Sequence, residues 1–368
     1  MTGQVEKLRQ SDLFPDFCLP MEDYSEFRDA TYFLREDGNF IFSQGYYHPV
    51  DPETGERLLT SHIIFTPQRG DIPAYARKRI FGQPYENVTK VIMETQPPEL
   101  FDRFQMKEYL KIDPSLAGQR PFWATYLVFV PVSSFAGCFP TRHSLDAVRR
   151  RAGAGDARAR RIGRAIESSA ERLGISPEQY GMSGSVSLGN YADPHDLDVV
   201  IHGTGSEVRR VVEDLRRLTA RDEARRVFEF GKFWPIRYWE EVDGHRTMFC
   251  PFFSLLDPAE FPLRDFTCEE RGPVTVEGRV SDHTFNAFNP TILGLDRVKI
   301  DGKSRSDGLQ LILYHGAERG DYCEGDRVAG QGMLAAIRTW RGEGAERRAV
   351  DEFEAVIAPT CGDIRKGS

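Results

Sequence analysis

After an irregular, charged leader, apolar and polar residues alternate with period two from Arg28 onward, and that pattern predicts strands. Residues 30–34 and 39–43 are aromatic, alternating runs around Glu36-Asp37-Gly38, and Asp-Gly between two such runs signals a hairpin. Pro52-Glu53-Thr54-Gly55 offers a second turn, with residues 61–66 as the strand beyond it. His48, His62 and Arg69 are either pocket-lining groups or loop residues beside an aromatic sheet. Residues 98–146 mix short helices with an apolar run over 123–132.

The period then changes to that of a helix. Residues 142–152 predict one helix, started at Pro140-Thr141, and residues 154–174 a second. In the second, Ile162, Ala165, Ile166, Ala170 and Leu173 share a face, and Gly174 is a natural stop. Arg158, Arg160, Arg161, Arg164 and Arg172 cover much of the rest, as a phosphate-facing patch or a solvated face. A third helix follows residue 204, with Ser206 as its expected N-cap and a stripe of Val208, Val211, Val212, Leu215 and Leu218. Residues 221–229 read as its extension. Residues 234–241 and 246–256 then form a hairpin about Asp243-Gly244.

From Pro273 the rhythm is again that of short strands, at 274–280, 311–315 and 324–334, with glycines at intervals. That spacing suggests a small closed barrel and resembles OB-fold modules, which hold single-stranded nucleic acid by stacking bases on aromatics in a basic groove. Phe285, Phe288, Tyr314 and Tyr322 are the candidate stacking residues, with Arg279, Arg319 and Arg327 nearby. A barrel that only braces its neighbour is the other reading.

Between the second and third helices lies Gly181–Gly203, GMSGSVSLGNYADPHDLDVVIHG. Asp196 and Asp198 open an apolar strand at 197–201, and residues two apart on a strand share a face. Two carboxylates held together repel unless a cation sits between them. Mg2+, or Mn2+, is the natural partner, since Mg2+ is held by one or two carboxylates plus substrate phosphates. Gly184 lets the backbone approach a phosphate closely, and Ser185 offers a hydroxyl contact or a helix cap.

Gly184-Ser185, Gly189 and Asp196-Leu197-Asp198 together resemble the signature of the polymerase-β-like nucleotidyltransferase superfamily. The resemblance implies an α+β fold: a transferase core of mixed sheet and helices over 151–262, after a leader at 1–27 and a β-rich region at 28–150. An OB-like barrel at 263–360 and a tail at 361–368 follow. It also implies transfer of a nucleoside monophosphate from a nucleoside triphosphate, ATP among them, to a hydroxyl, with metal on Asp196 and Asp198. Gly184 and Ser185 would hold the nucleotide, with Lys232, Arg237 and Arg246 as the nearest basic residues to neutralise phosphate charge. The chain departs from the family at one point. The strand expected to carry a third carboxylate, residues 246–254, contains no acid; Glu240 and Glu241 precede it and Asp257 lies beyond it. Asp193 and His195 are candidate helpers in the loop before the aspartates. The alternative is a protein that keeps the turn and the aspartates but only binds nucleotide or nucleic acid.

Composition narrows this little. The chain has 368 residues, a net charge of −8 and six cysteines with no C-x-x-C pair. The charge gives no global pull toward nucleic acid, and the scattered cysteines read as reduced thiols of a cytoplasmic protein. No run of 18 apolar residues occurs, so no membrane partner is expected.

Overall fold

The computed structural model describes residues 3–97, 100–117, 125–191, 196–229, 231–342, 346–360 and 362–367. The fold is mixed α+β, with three sheets. The chain divides into two compact units, each assembled from separate stretches. One comprises residues 1–43, 62–91 and 133–256; the other comprises 44–61, 92–132 and 257–368.

In the first unit, the expected hairpin forms from Tyr32–Arg35 and Phe40–Ser43, with Tyr32 opposite Phe42 and Leu34 opposite Phe40. Phe135–Phe139 pairs antiparallel with its first strand. This unit's second sheet runs Arg226–Glu229, Lys232–Val242, His245–Leu255, Asp196–Gly203, Tyr180–Met182 in spatial order. All its pairings are antiparallel except one: Asp196–Gly203 runs parallel to His245–Leu255. A parallel neighbour cannot be reached by a tight turn, so a helical crossover must separate the two strands. Gly205–Arg221 supplies it.

The helices form where the period placed them. Ala157–Leu173 buries Ala159, Ile162, Ala165, Ile166, Ser169, Ala170 and Leu173; each large apolar side chain there is worth roughly 1.5–3 kcal/mol. Asp156 caps its start, accepting from the Arg158 and Ala159 amides, and Gly174 ends it at φ +59°. Thr141–Gly153 packs beside it.

Three local expectations are corrected. The N-cap of Gly205–Arg221 is Thr204, not Ser206. Thr204 Oγ1 accepts from the Glu207 amide while Glu207 Oε2 accepts from the Thr204 amide, a reciprocal pairing that a residue two positions later cannot make. Its buried stripe ends on Thr219 rather than the half-buried Leu218, because the Thr219 hydroxyl donates to Pro235 O at 2.8 Å. Beyond Arg221, residues 222–229 do not extend the helix. Asp222 stops it, a single 3-10 turn follows, and Arg226–Glu229 is an edge strand.

In the second unit, five strands close on themselves: Phe266–Phe285, Thr291–Ile300, Leu309–Leu313, Arg348–Ala358 and Arg327–Arg341, the last pairing back to the first. Numbered along the chain the ring reads 1-2-3-5-4-1, with strands three and five parallel. Its interior is filled by Val276, Val280, Leu293, Leu295, Leu311, Leu313, Val328 and Val356, with Tyr322 among them. Residues 58–61, the start of the strand Leu58–Pro67, pair with Val128–Pro131, and the helix Phe101–Ile112 belongs here too.

Candidate metal centre

The strand Asp196–Gly203 is held extended by its buried residues Leu197, Val199, Val200 and Ile201. Asp196 and Asp198 are half-buried on the face they share with Val200, opposite Leu197, Val199 and Ile201, as period two requires. The parallel register places Asp196 beside Met248, Asp198 beside Cys250 and Val200 beside Phe252. One ligand atom from each of Asp196, Asp198 and Cys250 lies within 4.8 Å of the others. Among the described residues, no other group of three or more His, Cys, Asp or Glu side chains converges in this way.

The Gly-Ser turn closes against this group. The Ser183 amide donates to Asp198 O at 2.8 Å, and the Ser183 hydroxyl to Ala30 O at 2.8 Å. Gly184 follows at φ +59°, and a Cβ there would lie 1.9 Å from Asp198 Oδ2. Glycine is needed both for the backbone conformation and for the space the carboxylate occupies. Ser185 lies inside the short helical turn Gly184–Ser187 and is half-buried; the N-cap position is Ser183, so Ser185 is not the cap.

Two further groups feel the charge of the pair. Burial raises the Tyr32 phenol well above its ordinary value, and the nearby charges of Asp198 and Asp196 push it the same way. Burial likewise raises the Cys250 thiol, with Arg237 drawing it down and Asp198 and Asp196 pushing it up. Arg237 therefore lies within electrostatic reach of the cluster. Its guanidinium bonds Glu229 and sits 3.7 Å from the centroid of the Trp234 ring, and Lys232 Nζ lies 4.9 Å from the same centroid. Arg246 is spent elsewhere, donating to Ala224 O at 2.8 Å and lying over the Trp239 ring.

Glu240 is not a third ligand. It is 2% exposed and bound by Arg172 at 2.6 and 2.8 Å and by Arg225 at 2.9 Å. Two members of the arginine cluster on Ala157–Leu173 are thereby explained, since Arg164 also pairs with Asp243 of the following hairpin. Asp257 caps a 3-10 turn in the second unit. Asp193 and His195 lie outside the described residues. His48 accepts from the Thr60 amide at 3.2 Å and belongs to the second unit, whereas His62 and Arg69 belong to the first.

The barrel aromatics are corrected as well. Phe288, Tyr314 and Tyr322 are at most 5% exposed, so their faces are used by the core rather than offered to bases, while Phe285 is half-buried and packs edge-on to Phe261. A concavity of about 480 Å³ on this unit is lined by Pro273, Val274, Met333 and Pro359 with Asp301 and Asp363. It has two acids and no basic residue in its wall, the wrong sign for a phosphate backbone.

The donor set suits a divalent cation: two carboxylates, half open to solvent, over a buried sulfur. Sequence reading finds the aspartates and Gly184. It misses Cys250, which has no acid's signature, and Tyr32, an ordinary strand aromatic. No family model, curated protein or solved structure matches this chain. The described cysteines at 18, 138, 250, 268 and 323 are free thiols, and no described helix is long and apolar enough to cross a membrane.

Proposed function

We propose that the first unit is a polymerase-β-like nucleotidyltransferase core that moves a nucleoside monophosphate from a triphosphate to a hydroxyl, pyrophosphate leaving. The observation that carries this reading is the shared face of Asp196 and Asp198, with Gly184 pressed against the Asp198 carboxylate. Asp196 and Asp198 would hold Mg2+ or Mn2+, which in such a reaction stabilises charge developing on the phosphates. Gly184 leaves the turn low enough for phosphate oxygens to approach, and Ser185 offers its half-buried hydroxyl. Arg237, and Lys232 beside the same indole, supply positive charge to a polyphosphate. The ring order of the second unit fits an OB-like barrel, whose Phe288, Tyr314 and Tyr322 are core residues.

One observation favours a second reading, a nucleotide-binding protein with weak or no turnover. The position beside Asp198 on the parallel strand holds Cys250 instead of a carboxylate. Incubation with α-labelled nucleoside triphosphates and Mg2+ or Mn2+ separates the two. Pyrophosphate release that Asp198→Asn abolishes, with the melting curve preserved, supports transfer. Nucleotide binding without release supports the second reading, and release unchanged in Asp198→Asn overturns the assignment.

A further inference from the structure

We propose that Cys250 is the third protein ligand of the Asp196–Asp198 centre, and that its sulfur makes the centre bind thiophilic divalent ions such as Zn2+, Co2+ or Cd2+ more tightly than the Mg2+ or Mn2+ that would serve transfer. The proposal rests on reading the aspartate pair as a metal centre, not on nucleotidyl transfer.

Cys250 is 4% exposed, yet its surroundings are not those of a core thiol. A buried cysteine usually behaves as a small apolar side chain among other apolar ones. Here the sulfur faces two carboxylates, within the 4.8 Å span of the cluster, and makes no hydrogen bond among the described residues. The parallel register fixes the arrangement: Cys250 is the direct neighbour of Asp198, while Phe249 and Pro251 on either side point to the opposite face. The sulfur is buried, whereas both aspartates are partly exposed. Three protein donors with open positions are the pattern of a centre that also takes water or substrate. Ligand softness then decides the ion. Carboxylates alone suit Mg2+, Ca2+ and Mn2+, whereas a thiolate selects softer ions. As the metal–sulfur bond forms, the S–H bond breaks and its proton leaves to solvent, so charge and atoms balance.

Metal binding without nucleotide tests this on the full chain. Titration with Co2+ is expected to give a near-ultraviolet sulfur-to-metal charge-transfer band that Cys250→Ser and Asp198→Asn both remove. Calorimetry with Zn2+ is expected to show Cys250→Ser weakening binding about tenfold or more, since even outer-sphere changes cost 10–100-fold. Cys250→Asp is expected to reverse the order, favouring Mg2+ over Zn2+ relative to the parent chain. Should Cys250→Ser fail to fold, Cys250→Ala replaces it. Co2+ binding that depends on Asp198 but gives no sulfur band, or a band that survives loss of Cys250, overturns the proposal and leaves the aspartate centre standing. Absence of any Asp198-dependent ion binding removes both.

Discussion

At the scale of single residues, Gly184 and His202 make the most direct predictions. Gly184→Ala puts a Cβ where Asp198 Oδ2 lies and forces a left-handed backbone on an L residue, costing about 1–2 kcal/mol. The carboxylate must move, so metal affinity is expected to fall by more than stability; titration calorimetry beside thermal melts checks this. His202 is buried on the same strand as the aspartates, shares a hydrogen bond with Thr141 Oγ1 at 3.1 Å, and leaves Nδ1 without a partner among the described residues. Burial, helped by the charges of Arg142 and Arg28, lowers its pKa to about 3. The folded protein thus keeps it neutral where the unfolded chain protonates it. Its contribution to stability is complete above pH 6.5 and is lost as pH falls toward 3. The expected loss is about 1.4 kcal/mol per pH unit below 6.5, or about 2 kcal/mol by pH 5. His202→Gln is expected to flatten that slope in denaturant titrations at pH 7 and 5.

At the scale of elements, the buried cluster of Glu240 with Arg172 and Arg225 ties the helix Ala157–Leu173 to the strand Lys232–Val242. Glu240 is buried, but Arg172 and Arg225 are 34% and 20% exposed, so the guanidiniums left behind are partly solvated. Glu240→Gln, which keeps shape and loses charge, is expected to cost about 1.5–3 kcal/mol, with binding at the proposed aspartate centre unchanged. An equal fall in metal affinity, once melts show the variant folded, would return Glu240 to the centre. The elements themselves were largely legible. Asp-Gly turns, alternating aromatics and an apolar stripe ended by Gly174 are local signals, and the hairpin at Tyr32–Ser43 and the helix Ala157–Leu173 follow them. The boundaries around the third helix were less so. Thr204 and Ser206 are both good caps, and only the hydrogen bonds with Glu207 choose between them.

At the scale of the whole molecule, the two units share out the chain unequally. Every side chain of the barrel's core cluster lies between Val276 and Ile364. Residues 257–368 alone are therefore expected to melt cooperatively. Residues 1–256 alone keep 44–61 but lose two of its aromatic partners: the Tyr47 ring lies 4.2 Å from that of Phe266 and the Tyr46 ring 5.0 Å from that of Phe261. This fragment is expected to bind a hydrophobic dye and self-associate, and mixing it with 257–368 to suppress the dye signal. A fragment 1–256 as soluble and dye-silent as the intact chain would contradict that expectation.

By itself the sequence determined what depends on neighbours a few residues away: the turns, the helical stripes, and the common face of Asp196 and Asp198. These follow from backbone periodicity and φ preferences, which act over short spans. Tertiary structure alone decided what came to stand beside that face. Cys250 reaches Asp198 through a parallel pairing across an intervening helix and hairpin, a register with no local signal. Burial likewise could be assigned only once the barrel closed, which is why Tyr314 and Tyr322 read as exposed platforms in the sequence and proved to be core. The proposed centre is thus part local and part long-range: the carboxylates come from one strand's alternation, and the sulfur from how two strands pair.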